Sequence, residues 1–99
     1  MSVKLRKKND RYTIYDLELE GLTLSVTYLN PGKSTIGHLH GFEEAYYICR
    51  CDFGKIKIGT QTREISSGNF ITIPPDTFHR VFNDGENILT FICAFKGRK

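Results

Sequence analysis

The chain has 99 residues, 39% hydrophobic and 12% aromatic, enough for one domain with one core and too apolar for a disordered segment. Its net charge of +3 sits largely in two basic ends, "KLRKK" and "KGRK", read as solvated tails; with no basic stripe between them carrying exposed aromatics, nucleic-acid binding is not expected. No apolar run approaches the ~18 residues of a membrane span and no signal-like segment follows the charged N-terminus, so a soluble cytoplasmic protein without membrane attachment is expected.

Taken in chain order, the sequence is a series of short β-rich runs separated by turn residues. The first, Tyr12–Leu19, ends at "EG". The second, Leu22–Leu29, alternates cleanly, which predicts one buried face of Leu22, Leu24, Val26 and Tyr28. After "NPG" come Gly37–His40, then Glu44–Cys51, closed by "DFG". Lys55–Gly59, Thr62–Ile65 and Phe70–Ile73 follow, with "SSGN" before the last. "IPPD" leads into His79–Asn83, and "NDGE" reads as a hairpin connection into Ile88–Phe95, because Asp-Gly tolerates positive φ. That final run is apolar nearly throughout and is expected to be a central strand or one covered by a partner subunit. No 3.6-residue apolar period is sustained, so an all-β sandwich or barrel is predicted.

Three cysteines cannot complete a disulfide framework within the chain. Cys49 and Cys51 share a strand face by alternation and Cys93 lies in the apolar run, so all three are read as small hydrophobes in a reducing compartment.

The chain has three histidines, and two of them form His38-Leu39-His40. On a strand these two rings share a face, where they can converge on one ion. Gly41, Phe42 and Glu43 form a short tip, and a hairpin there returns the carboxylate of Glu44 beside them. His79, after the proline turn, is the third imidazole. Glu43 points the opposite way and is read as solvated. Three imidazoles and one carboxylate suit a divalent ion of intermediate softness (Mn, Fe, Co, Ni, Cu or Zn), with open positions left for water or a chelating ligand.

These residues fall in two motifs that resemble those of the cupins. Gly32, "KSTIG", His38-Leu39-His40, "GFE", Glu44 and "AYYICR" lead to Cys51, where the family usually has glycine. Gly68, "NFITI", Pro74-Pro75-Asp76, "TF", His79 and "RVF" lead to Asn83, with Asp76 in place of a turn glycine. Sixteen residues separate the motifs. The resemblance implies a single domain over residues 1–99, built as a small double-stranded β-helix (jelly-roll) barrel with metal ligands His38, His40, Glu44 and His79 in its mouth. The departures have physical readings: Gly54 is expected to supply the flexible turn position that Cys51 cannot, and Asp76 to adopt the left-handed conformation.

Inward-facing Glu44 brings Tyr46, Ile48 and Arg50 to its side. Tyr46 is the catalytic candidate, as proton donor or orienting hydroxyl, beside the plain alternative of an aromatic packing the barrel. Phe42 or Phe78 is expected to wall the entrance, and Asn83 to fix a strand end. The sequence also resembles small cupins of the mannose-6-phosphate isomerase-like kind. Three functions fit: metal-assisted isomerisation or related proton transfer on a small carbohydrate-like molecule, metal-dependent dioxygenation, and non-enzymatic binding or sensing of a small ligand. So small a barrel is also expected to form a homodimer through edge strands or an outer sheet face.

Overall fold

Turn chemistry cuts this chain into strands too short to bury a face alone, so they stack as two sheets around one interior. The computed structural model describes residues 2–96. It contains β1 (Ser2–Lys8), β2 (Tyr12–Leu19), β3 (Leu22–Leu29), β4 (Glu44–Arg50), β5 (Gly54–Ile58), β6 (Gln61–Ile65), β7 (Phe70–Ile73), β8 (His79–Asn83) and β9 (Leu89–Lys96). A six-stranded sheet runs β1-β2-β3-β9-β4-β7 and a three-stranded sheet runs β6-β5-β8, all pairs antiparallel. Ile48, Ile56, Ile73, Val81, Leu89 and Phe91 fill the space between them. Each such side chain contributes about 1.5–3 kcal/mol by leaving water. Among the described residues no helix is long and apolar enough to cross a membrane.

Several expectations are corrected. The basic N-terminal run is a strand, β1, paired along β2, rather than a solvated tail. Gly97, Arg98 and Lys99 of the other basic end lie outside the described residues. In β3 the predicted inside and outside are exchanged: Thr23, Ser25, Thr27 and Leu29 are buried, whereas Leu22, Leu24 and Val26 are half-buried and Tyr28 is exposed. Alternation separates two faces without saying which one is inward. The register with β2 decides, because inward Ile14 and Asp16 sit opposite Thr27 and Ser25. The final run is central, as β9 lies between β3 and β4, but its outer residues Thr90, Ile92 and Ala94 are only half-buried.

"NDGE" does not close a hairpin, since β8 and β9 belong to different sheets. Asn83 holds this crossing, donating to the carbonyls of Leu29 and Asn87 (both 2.9 Å) and accepting from Gly85 N (3.0 Å). Cys49 and Cys51 do not share a face. A β-bulge between Ile48 and Arg50 leaves Cys49 exposed and Cys51 buried, and it turns Arg50 outward instead of beside Tyr46.

The two family-atypical turns resolve differently. Asp76 adopts positive φ (56°), the expected left-handed conformation. Gly54 does not, and its glycine answers to space. A Cβ there would lie 2.8 Å from Cys51 Sγ and 2.9 Å from both Leu89 Cδ1 and the Phe82 carbonyl oxygen. Since one of these neighbours is backbone, Gly54→Ala should cost about 1–3 kcal/mol of stability, read as a lowered urea midpoint. An unchanged midpoint would refute the crowding argument.

Candidate metal centre

Residues 34–40 form no continuous strand. They touch β8 through isolated bridges, Ser34 to Phe82 and His38 to His79, the latter with reciprocal backbone hydrogen bonds of 3.0 and 2.9 Å. Gly37 fits because the Phe78 ring occupies the position of its missing Cβ. Asp76 N donates to the His40 carbonyl (2.6 Å), tying the proline turn to the same segment. The His-x-His segment is therefore placed by β8 and its approach turn, not by a hairpin with β4.

His40 Nε2 stands 3.3 Å from Glu44 Oε1, and His79 Nε2 stands 3.5 Å from the same oxygen. The ligand atoms of His40, Glu44 and His79 lie within 4.8 Å of one another. His38 is not in that group, although its ring centroid is 5.4 Å from His40 and 6.3 Å from His79. Glu44 is 1% exposed and Glu43 is exposed, so the carboxylate at the site is Glu44.

His79 is oriented from behind. Its Nδ1 lies 3.1 Å from the Thr77 carbonyl oxygen, which can only accept, so Nδ1 carries the proton. In the neutral ring this leaves the Nε2 lone pair toward Glu44. That atom is buried and makes no hydrogen bond. A buried polar atom without a partner is costly, and a divalent cation satisfies it while neutralising Glu44. Imidazole and carboxylate donors suit such an ion, so the residues present fit a metal. On the far side, Cys93 Sγ donates to Glu44 Oε2 at 2.6 Å, fixing the carboxylate plane.

Phe42 stacks on His40 (5.0 Å between centroids) and Phe95 (5.4 Å), forming one wall. Tyr46 presents its ring edge to His79 at 5.8 Å and stacks on Phe91. Burial pushes the Tyr46 phenol well above its ordinary pKa, reinforced by Cys93 and Glu44 and opposed by Arg6. Arg80 donates to the Thr35 carbonyl and to Ser34 Oγ (both 2.8 Å), bracing the segment that leads to His38.

The sequence reading missed a polar row on the interior face of the large sheet. Asp16 faces Ser25, Ser25 faces Cys93, and Cys93 faces Tyr46 in successive strand pairs. Ser25 Oγ donates to Asp16 Oδ1 (2.6 Å), and Arg6 Nε pairs with Asp16 Oδ2 (2.7 Å). One signal was available: Asp16 is the acid in the otherwise apolar frame Tyr12, Ile14, Asp16.

A family model, the cupin domain, matches residues 25–95. No curated protein matches. Among solved structures, an RmlC-like cupin from Shewanella frigidimarina superposes with a TM-score of 0.84 at 12% identity, covering 98% of this chain and 86% of the other. A cupin 2 conserved barrel domain protein from Rhodopseudomonas palustris gives 0.82 at 18%, covering 99% and 72%. The formate complex of Lactobacillus farciminis oxalate decarboxylase gives 0.84 at 19%, covering 94% of this chain and 31% of that one. At these identities the structural likeness speaks for the fold.

Proposed function

This chain belongs to the cupin family, and on that premise we propose that it is a divalent-metal enzyme performing proton transfer, such as isomerisation, on a small carbohydrate-like molecule. One observation carries the reading: the buried Nε2 of His79, held by Thr77 and without a hydrogen-bond partner, aims with His40 Nε2 at Glu44 Oε1. His40, Glu44 and His79 would hold the ion, and His38 joins them by turning a ring already beside His40.

The bound ion supplies Lewis acidity toward a carbonyl or hydroxyl oxygen of the ligand. Phe42, stacked on His40, and Phe78, packed against Gly37, would shield the approach to the ion. Tyr46, on the interior face next to His79, serves as hydrogen-bond donor to a ligand oxygen and is the catalytic candidate. The cavity is small, about 30 Å³, room for roughly two waters, so only a small group of the ligand enters it. Three cysteines without a disulfide fit a cytoplasmic setting. We propose further that two copies pair through the outer face of the six-stranded sheet.

The test is elemental analysis of the isolated protein, followed by NMR of dihydroxyacetone in D₂O. About one divalent metal per chain is expected, with deuterium entering the carbon next to the carbonyl and lost on chelation. A protein that refuses Mn, Fe, Ni and Zn would overturn the metal centre. Metal with ligand binding but no exchange supports the sensing alternative, and substrate-dependent oxygen uptake supports the dioxygenase.

A further inference from the structure

We infer that Arg6 is the anion-recognition residue of this site, and that the ligand is a small hydroxy- or oxo-carboxylate spanning the metal centre and the Arg6 guanidinium. This rests on the reading of His40, Glu44 and His79 as a metal centre.

The strand pairing itself aims Arg6 inward. Register passes from Leu5 opposite Tyr15 directly to Lys7 opposite Ile14, so Arg6 is the extra residue of a β-bulge. Leu5 faces outward opposite Tyr15, so Arg6 next to it turns inward, and the bulge keeps Lys7 on that same side opposite Ile14; Arg6 thereby reaches, from an edge strand, the wall of the cavity that His38, His79, Tyr46 and Cys93 also line. Among the described residues lining that cavity, Arg6 is the only lysine or arginine.

The guanidinium is held rather than spent. Asp16 takes it through Nε at 2.7 Å, while Nη2 reaches Ser25 Oγ at a long 3.4 Å. Asp16 is itself fixed by Ser25 Oγ at 2.6 Å and is 9% exposed. Single-edge pairing at Nε leaves Nη1, which makes no hydrogen bond among the described residues, as a donor for a third partner. A planar fork pre-set by two buried groups is the usual means of recognising a carboxylate.

The cavity is small, so the anion that meets Arg6 is a small one, and the hydroxyls of Thr27 and Thr35 on the same wall suit an oxygenated neighbouring group.

The experiment measures binding of three probes to zinc-loaded protein by calorimetry: glycerate, neutral dihydroxyacetone and inorganic phosphate. Wild type should bind glycerate more tightly than phosphate. Arg6→Gln should weaken glycerate at least tenfold, leaving zinc content and dihydroxyacetone binding unchanged. If Arg6→Gln melts early because Asp16 loses its partner, the double variant Arg6→Gln/Asp16→Asn removes both charges and should show the same loss. Equal glycerate affinity in wild type and variant overturns the inference. So does equal loss for both organic probes, failure of wild type to bind glycerate, or tighter binding of phosphate. Zinc content distinguishes the failures: absent zinc in wild type condemns the metal centre, and full zinc with no Arg6 effect condemns only this assignment.

Discussion

Glu44→Gln is expected to lower divalent-metal affinity by at least ~100-fold, while Glu43→Gln leaves it unchanged. The substitution keeps shape and removes the single negative charge at the point where His40 Nε2 and His79 Nε2 converge. An amide oxygen is a far weaker donor to a divalent ion than a carboxylate. Stability separates this loss from misfolding. Metal at a hundredfold excess over its dissociation constant stabilises the native protein by about 2.7 kcal/mol, and Glu44→Gln should lose that increment. Its metal-free form should melt no lower than wild type, because a charge buried at 1% exposure is removed and the Cys93 thiol still finds an acceptor. Glu43 is exposed, so its substitution should alter stability by under about 0.5 kcal/mol. His38→Ala should fall between them, since its ring stands beside the cluster rather than in it. Elemental analysis after dialysis and paired thermal melts read all three. Equal metal loss from Glu43→Gln and Glu44→Gln would sink the ligand assignment.

The parts of the fold that were legible had local causes. Tyr12–Leu19, Leu22–Leu29, Phe70–Ile73 and His79–Asn83 are strands with the expected boundaries, because glycine, proline and acidic turn residues flank them. His40, Glu44 and His79 were legible because their residue types are costly to bury without a purpose. What failed was decided by tertiary context. The polar frame of β3 turns inward because inward positions of β2 face it across the ladder, a fact no single strand contains. A bulge defeated simple alternation by separating Cys49 from Cys51, and Arg6, an apparent tail residue, joined the interior wall because β1 pairs along β2. A bulge adds one residue to one strand and leaves no compositional trace. Gly54 was recognised as special for the wrong reason, since a sequence shows that glycine is present and not whether φ or space requires it.

The same exchange of faces in β3 predicts how copies of the chain associate. Turning Thr23, Ser25 and Thr27 inward puts Leu22, Leu24, Val26 and Tyr28 outside. They join Leu17 and Leu19 of β2, Val3 and Leu5 of β1, and Ile92 of β9 across the register. The charges on this face of β1, β2, β3 and β9 are Lys8, opposite Thr13, and Lys96, opposite Leu22, both at strand ends. These four strands, about 4.8 Å apart and seven or eight residues long, span on the order of 500 Å², a large part of the ~800 Å² each partner contributes to a standard interface. An apolar face whose lysines stand only at the strand ends matches a second copy of itself through a twofold axis at β3 and β9, with the ammonium groups left at the solvated rim. Light scattering should therefore give twice the 11.4 kDa chain mass. Val26→Lys places two ammonium groups near that axis, where burying each unpaired costs about 3 kcal/mol or more, a loss of over ~100-fold in dimer affinity. The variant should run as a monomer and still bind metal, since Val26 points away from the interior. Val3→Lys, nearer the rim, should weaken association far less. Wild type at the monomer mass would refute the interface. A Val26→Lys protein that stays dimeric would move the contact to another surface, leaving the half-buried outer residues of β9 without a cover.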